Sequence, residues 1–165
     1  LSVIPAYVIL ATLAAPALIQ LEIPVMAAHL LVLWWGQASN VTPPVALASY
    51  MAAGISKAKL WPVCNAAMLK AMAIFYLPVL FVYQPGLLLQ GNILEIVLTI
   101  VTLALGGVAI SSGVEGFFYK RMGLALRIAA IMIGIALVLT QGVYTIVPLI
   151  LFASFATWQF VKTRQ

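Results

Sequence analysis

The stretch "QASNVTPPVALASY", Gln37–Tyr50, lies inside a run so apolar that it reads as a membrane helix, yet it holds two adjacent prolines among polar side chains. Proline lacks an N–H and its ring clashes with the preceding turn, so Pro43 and Pro44 do not fit inside a continuous helix, although they suit the first turn of a new one. The residue before a proline is pushed toward extended geometry, which takes Thr42 out of a helix as well. The sequence therefore predicts two half-helices, one ending near Ala38 or Ser39 and the other starting at Pro43 with Asn40 or Thr42 as its N-cap. In lipid, unwound backbone is tolerated only where it is buried in protein or lines a polar cavity. The break thus brings free carbonyls of Gly36 to Ser39 and the N-terminal end of a Pro43–Ile55 half-helix to mid-membrane. Carbonyl ends suit Na⁺, and the opposite helix end, with Asn40 and Thr42 beside it, suits a carboxylate. A proline kink held by neighbouring helices is the competing reading. The clustering of Ser39, Asn40 and Thr42 at one point favours a site.

Composition agrees with a membrane setting. Of 165 residues, 65% are hydrophobic and only 7% charged, whereas a soluble domain carries about a quarter charged residues. The reading is an all-α polytopic membrane protein, with connecting stretches too short and too apolar to hold a soluble domain. The chain begins with Leu1 inside apolar sequence and shows no basic segment leading to a cleavage site, so it is read as part of a longer protein. Cys64, the single cysteine, sits in an apolar context and reads as a small packing residue.

The net charge of +5 is informative through its placement. Lys57 and Lys59 share one loop, Lys120, Arg121 and Arg127 another, and Lys162 and Arg164 the tail, while Gln84–Asn92 and Gln141–Tyr144 carry no charge. Positive residues accumulate on the cytoplasmic side, which predicts basic clusters and a C-terminus facing inward and the two uncharged turns facing outward. A hydrocarbon core about 30 Å thick needs roughly 20 helical residues. Stretches near Met68–Tyr83, Ile93–Phe118, Leu124–Thr140 and Thr145–Val161 supply four crossings that satisfy this assignment. Lys70 is expensive inside a span, so "LWPVCNAAMLKAMAIFY" is expected to begin as an interfacial helix, with the crossing starting near Ala71; the alternative is a snorkelling Lys70 on a tilted helix. The expected organisation is 1–60 as half of a transport domain, 61–90 as an interfacial and a transmembrane helix, and 91–165 as C-terminal transmembrane helices.

Upstream of the break, the apolar run Ala6–Leu21 is shorter than the roughly 20 residues of a crossing. With the Leu21–Pro24 turn outside, it reads as the returning arm of a re-entrant hairpin whose tip, near Leu1–Pro5, meets the break and makes Ser2 a site contributor.

"PAYVILATLAAPAL", followed by "AAHLLVLWWGQASNVTPPVALASYMAAGI" and "FVYQPGLLL", resembles the C-terminal part of the large membrane subunit of tripartite ATP-independent periplasmic (TRAP) transporters, and is most similar to the fused permeases that work with TAXI-type solute-binding proteins. The specific core is "SNVTPPVALASY", and the resemblance is carried by roughly residues 1–90. It implies Na⁺-driven, ATP-independent uptake of a small carboxylate delivered by a periplasmic binding protein. The fold it implies is an elevator-like transport domain in a bacterial or archaeal cytoplasmic membrane, with a small membrane subunit or its fused equivalent as a further partner. The resemblance also implies that backbone around Ser39, Val41, Thr42 and Val45 holds Na⁺, with Asn40, Thr42 and Pro43 nearest the substrate.

Other polar residues have plainer readings. His29 is expected to be a hydrogen-bonded interfacial histidine rather than a proton-coupling group. Glu95 and Glu115 are expected to snorkel or pair with basic groups. "GGVAISSG", Gly106–Gly113, is either a second unwinding point or, with Gly107 and Ser111 at helical spacing, a close-packing face. Trp34, Trp35 and Trp61 suit membrane interfaces, or, for the first two, a partner helix. No Walker loop, zinc-spaced histidine pair, haem motif or Ser/His/Asp constellation is visible, and nothing points to an enzyme, a cofactor or nucleic acid. Beside a secondary transporter stand a channel or facilitator, which needs a continuous polar stripe not visible here, and a structural subunit of a membrane complex, which needs no polar break.

Overall fold

The computed structural model describes residues 3–140 and 142–163, and among them it is all-helical, with no strand. The helices are α1 (Val3–Gln20), α2 (Val25–Ala38), α3 (Leu47–Ser56), α4 (Leu60–Lys70), α5 (Ala73–Tyr83), α6 (Ile93–Glu115), α7 (Leu124–Leu139) and α8 (Ile146–Thr163), with 3₁₀ turns at Pro85–Leu88 and Gly142–Thr145. They divide into two units, Leu1–Leu88 and Leu89–Gln165.

In the first unit, α1 and α2 form an antiparallel hairpin whose turn is set by Glu22 in the left-handed region (φ 64°). The Glu22 amide donates to Ile19 O at 3.0 Å and the Ile23 amide to Leu18 O at 3.2 Å, the paired bonds that satisfy carbonyls at a helix end, and Pro24 then starts the next element. Ala15, Leu31 and Val32 are buried between the two helices, with Tyr7, Leu10 and Leu18 packed around them. Trp34 meets Phe81 of α5 edge-on, ring centroids 6.1 Å apart, and Trp35 Nε1–H donates to Phe75 O at 3.3 Å. Both indoles thus join α2 to α5. Tyr7 and His29 hydrogen-bond through the hydroxyl and Nδ1 at 3.1 Å, tying α1 to α2.

One expectation about this unit needs correction. The half-helix after the break starts at Leu47, with Ala46 as N-cap, and not at Pro43 with Asn40 or Thr42 capping. Pro43 itself precedes a proline, so the same steric rule that excludes Thr42 from a helix excludes Pro43. The helix is interrupted at Ala71–Met72, directly after Lys70 and where the sequence places the start of a crossing. Taken together, Leu60–Tyr83 is a stretch of 24 residues long and apolar enough to cross a membrane.

In the second unit, α6 is continuous across Gly106–Gly113 over 23 residues, the other stretch long and apolar enough to cross a membrane. No second unwinding occurs there. The close-packing residues are Gly106 and Gly113 of α6 and Gly134 of α7, not Gly107 and Ser111: a Cβ on Gly134 would lie 2.8 Å from Gly106 O, and one on Gly113 2.8 Å from Arg127 O. Gly107 and Ser111 instead line an open groove with Ala104 and Glu115. Ala109, Leu137 and Phe152 form the core shared by α6, α7 and α8. Glu95 closes a capping box at the start of α6, its carboxylate accepting the Asn92 amide at 3.3 Å, so its role is local rather than a snorkelling or basic-paired one. At the other end of α6, Arg127 donates from Nε to Gly113 O (2.9 Å) and from Nη2 to Val114 O (2.7 Å).

Candidate functional site

The site is the non-helical segment Ser39–Ala46 between α2 and α3. Its shape follows from where its amides go. Asn40 and Val41 amides fold back on Gln37 O (3.0 Å) and Ala38 O (3.1 Å), tightening the end of α2 into single turns. The Ala46 amide then reaches back to Ser39 O (3.0 Å) and Thr42 O (2.9 Å), and the Ala48 amide to Asn40 O (3.0 Å). Ala46 is 1% exposed and left-handed (φ 37°, ψ 41°), so the segment coils around one buried amide. Ser49, 2% exposed, reaches from α3 to Val41 O at 3.4 Å.

The side chains are equally committed. Ser39 Oγ donates to Gly36 O at 2.8 Å and Thr42 Oγ1 to Ala38 O at 2.7 Å. Asn40 Nδ2 donates to Gln37 Oε1 at 3.0 Å. The carbonyls of Gly36 to Ser39 expected to be free are therefore each hydrogen-bonded. A carbonyl has two lone pairs, and Ala38 O, which accepts from Val41 N, Thr42 N and Thr42 Oγ1, has none to spare. Ser39 O and Val41 O keep one each, and no backbone amide among the described residues donates to Val45 O. Among the described residues no three His, Cys, Asp or Glu side chains come together. The oxygens gathered in the segment are neutral, with no Asp or Glu within Gln37–Tyr50.

Structure thus brings Ser39, Asn40, Val41, Thr42 and Val45 into one loop, whereas Ser2 lies outside the described residues. Pro43, joined to Pro44 by a cis peptide, lines a cavity of about 400 Å³ together with Pro44, Ala46, Tyr50, Trp61 and Cys64. Sequence reasoning missed Gln37, Ala46 and Ser49. Gln37 carries a readable signal, because residues three apart on a helix are neighbours and Gln–Asn pairs bond at that spacing. Ala46 and Ser49 carry none, since their roles depend on where the chain returns.

The model of one protein family, described as "Tripartite ATP-independent periplasmic transporter, DctM component", matches residues 1–96. No curated protein and no solved structure matches the chain. The matched region contains all of the first unit, including the break.

Proposed function

Because the chain belongs to the family of the DctM component, the large membrane component, of tripartite ATP-independent periplasmic transporters, we propose that it forms part of a secondary permease that couples Na⁺ entry to uptake of a small carboxylate. The family is one of transporters, not enzymes, with a periplasmic binding protein and a small membrane subunit as partners. The finer reading is a binding protein of the TAXI type, a small subunit fused to the permease, and a location in the cytoplasmic membrane with α1 as the arm of a re-entrant hairpin and α2–α3 as a discontinuous span.

One observation carries the coupling: the Ser39–Ala46 loop joins the carbonyl end of α2 to the amide end of α3 with no formal charge between them. A helix C-terminus is equivalent to about half a negative charge and an N-terminus to about half a positive one. The first supports a cation at the oxygens of Ser39, Val41, Thr42 and Val45, and the second an anion near Asn40 and Pro43. Hydrogen bonds that fix the loop in advance reduce the ordering that binding requires.

Reconstitution tests this. Proteoliposomes carrying the full-length transporter and its binding protein should take up the carboxylate under an inward Na⁺ gradient without ATP. Equal uptake with choline in place of Na⁺ rules out the coupling.

A further inference from the structure

We propose that Gln37 and Asn40 together form the carboxylate receptor of the site, and that Thr42 serves the cation alone. The inference rests on the Na⁺–carboxylate reading above and assigns roles within that site.

Proton counting separates the two. Thr42 has one hydroxyl proton, and it is committed to Ala38 O at 2.7 Å. Toward a ligand Thr42 Oγ1 offers lone pairs only, which attract a cation and repel a carboxylate. Ser39 is in the same state, its proton on Gly36 O at 2.8 Å. The amide pair is the reverse. Gln37 and Asn40 share one N–H···O bond of 3.0 Å out of four side-chain N–H groups, so three N–H groups remain, whichever of the two amides is the donor. Both residues are half-buried at the end of α2. Within a membrane, N–H groups with no acceptor are costly, and an ionised carboxylate is the strongest acceptor for them.

The arrangement also explains why transport would need both ligands. Gln37 and Asn40 lie at the negative end of α2, whose field opposes that of the nearby α3 amide end, where the Ala48 amide meets Asn40 O, until a cation offsets it. Na⁺ on the oxygens of Ser39 and Thr42 cancels that field, and only then does the amide pair hold a carboxylate. Na⁺ therefore binds first.

The test uses the full-length transporter with its binding protein in proteoliposomes. Gln37→Glu is nearly isosteric and replaces the donor group by an acceptor. At saturating Na⁺ it should raise the substrate KM by about ten- to hundred-fold, leave half-saturating Na⁺ no higher than in wild type because an added carboxylate favours the neighbouring cation, and abolish the preference for the carboxylate over its carboxamide analogue. Thr42→Val, which keeps shape and removes the oxygen, should do the opposite: a higher half-saturating Na⁺, with substrate KM at saturating Na⁺ unchanged. Gln37→Asn, a shorter amide, should retain the carboxylate preference and so separates loss of donors from loss of fold. A wild-type KM and carboxylate preference in Gln37→Glu overturns the proposal while leaving Na⁺ coupling intact; Na⁺-independent uptake by the wild type overturns the underlying reading itself.

Discussion

Ala46 is the residue on which the break depends, and it holds a conformation that L-residues avoid. Its φ of 37° puts Cβ close to neighbouring backbone, at a cost of about 1–2 kcal/mol, and the residue is tolerated because its amide closes two turns at once, onto Ser39 O and Thr42 O. Glycine adopts this φ without strain but loses a buried methyl and more chain entropy on folding, so Ala46→Gly should change stability by no more than about 1 kcal/mol. Ala46→Val adds a β-branch at positive φ in a site that is 1% exposed, and should destabilise by about 2 kcal/mol or more. Thermal unfolding of both variants in detergent reads this out. A valine variant as stable as wild type would mean that Ala46 is not left-handed in the working protein. Proline steric rules account for the first edge of the break at Ala38, but the second edge falls at Leu47, since a proline followed by a proline is itself kept out of the helix.

At the scale of elements, the packing of α6 on α7 follows from glycine placement. Gly106, Gly113 and Gly134 let the two backbones approach so closely that a methyl on Gly134 would lie 2.6 Å from Ile110 Cγ1 and 2.8 Å from Gly106 O. Because one of those atoms is backbone, a helix must shift, and Gly134→Ala should cost about 1–3 kcal/mol. Gly54 of α3 is the control: nothing lies within 4 Å of an added Cβ, so Gly54→Ala should be neutral or stabilising by up to about 1 kcal/mol. Apparent melting temperatures in one detergent compare them, and an equal effect of the two substitutions would show that close approach is not what holds α6 to α7. The class of the fold was legible because 65% hydrophobic sequence leaves no other option. Which glycines pack was not, because Gly106 and Gly107 are neighbours in sequence and only the partner helix decides which face is covered. Arg127 was read as a loop charge for the same reason; its hydrogen bonds to Gly113 and Val114 are with residues distant in sequence. Of the candidate site, the cluster of polar side chains Ser39, Asn40 and Thr42 was legible, but not the hydrogen bonds that commit their protons, which depend on how the segment folds back on α2.

For the molecule as a whole, the testable expectation is which ends of the two stretches of membrane length face the cytoplasm. Leu60–Tyr83 and Ile93–Glu115 have 24 and 23 residues, about 36 and 34 Å at helical rise, each enough for a core about 30 Å thick with some tilt. The first leads from the Lys57/Lys59 loop to the uncharged Gln84–Asn92 segment, and the second from that segment to the loop holding Lys120 and Arg121. The exposed face of α6 is largely apolar, with Ile93, Leu94, Val97 and Val108 exposed, as a hydrocarbon solvent requires. Positive residues accumulate on the cytoplasmic side, so the expectation to be tested is that the Lys57/Lys59 loop and the Lys120/Arg121 loop both face inward. Cysteine accessibility should show it. With Cys64 replaced by alanine, a membrane-impermeant thiol reagent added to intact cells should label Gln90→Cys, and should reach Lys57→Cys and Lys120→Cys only after the membrane is opened. Labelling of Lys57→Cys from outside, or of Gln90→Cys only after the membrane is opened, would overturn this assignment of sides.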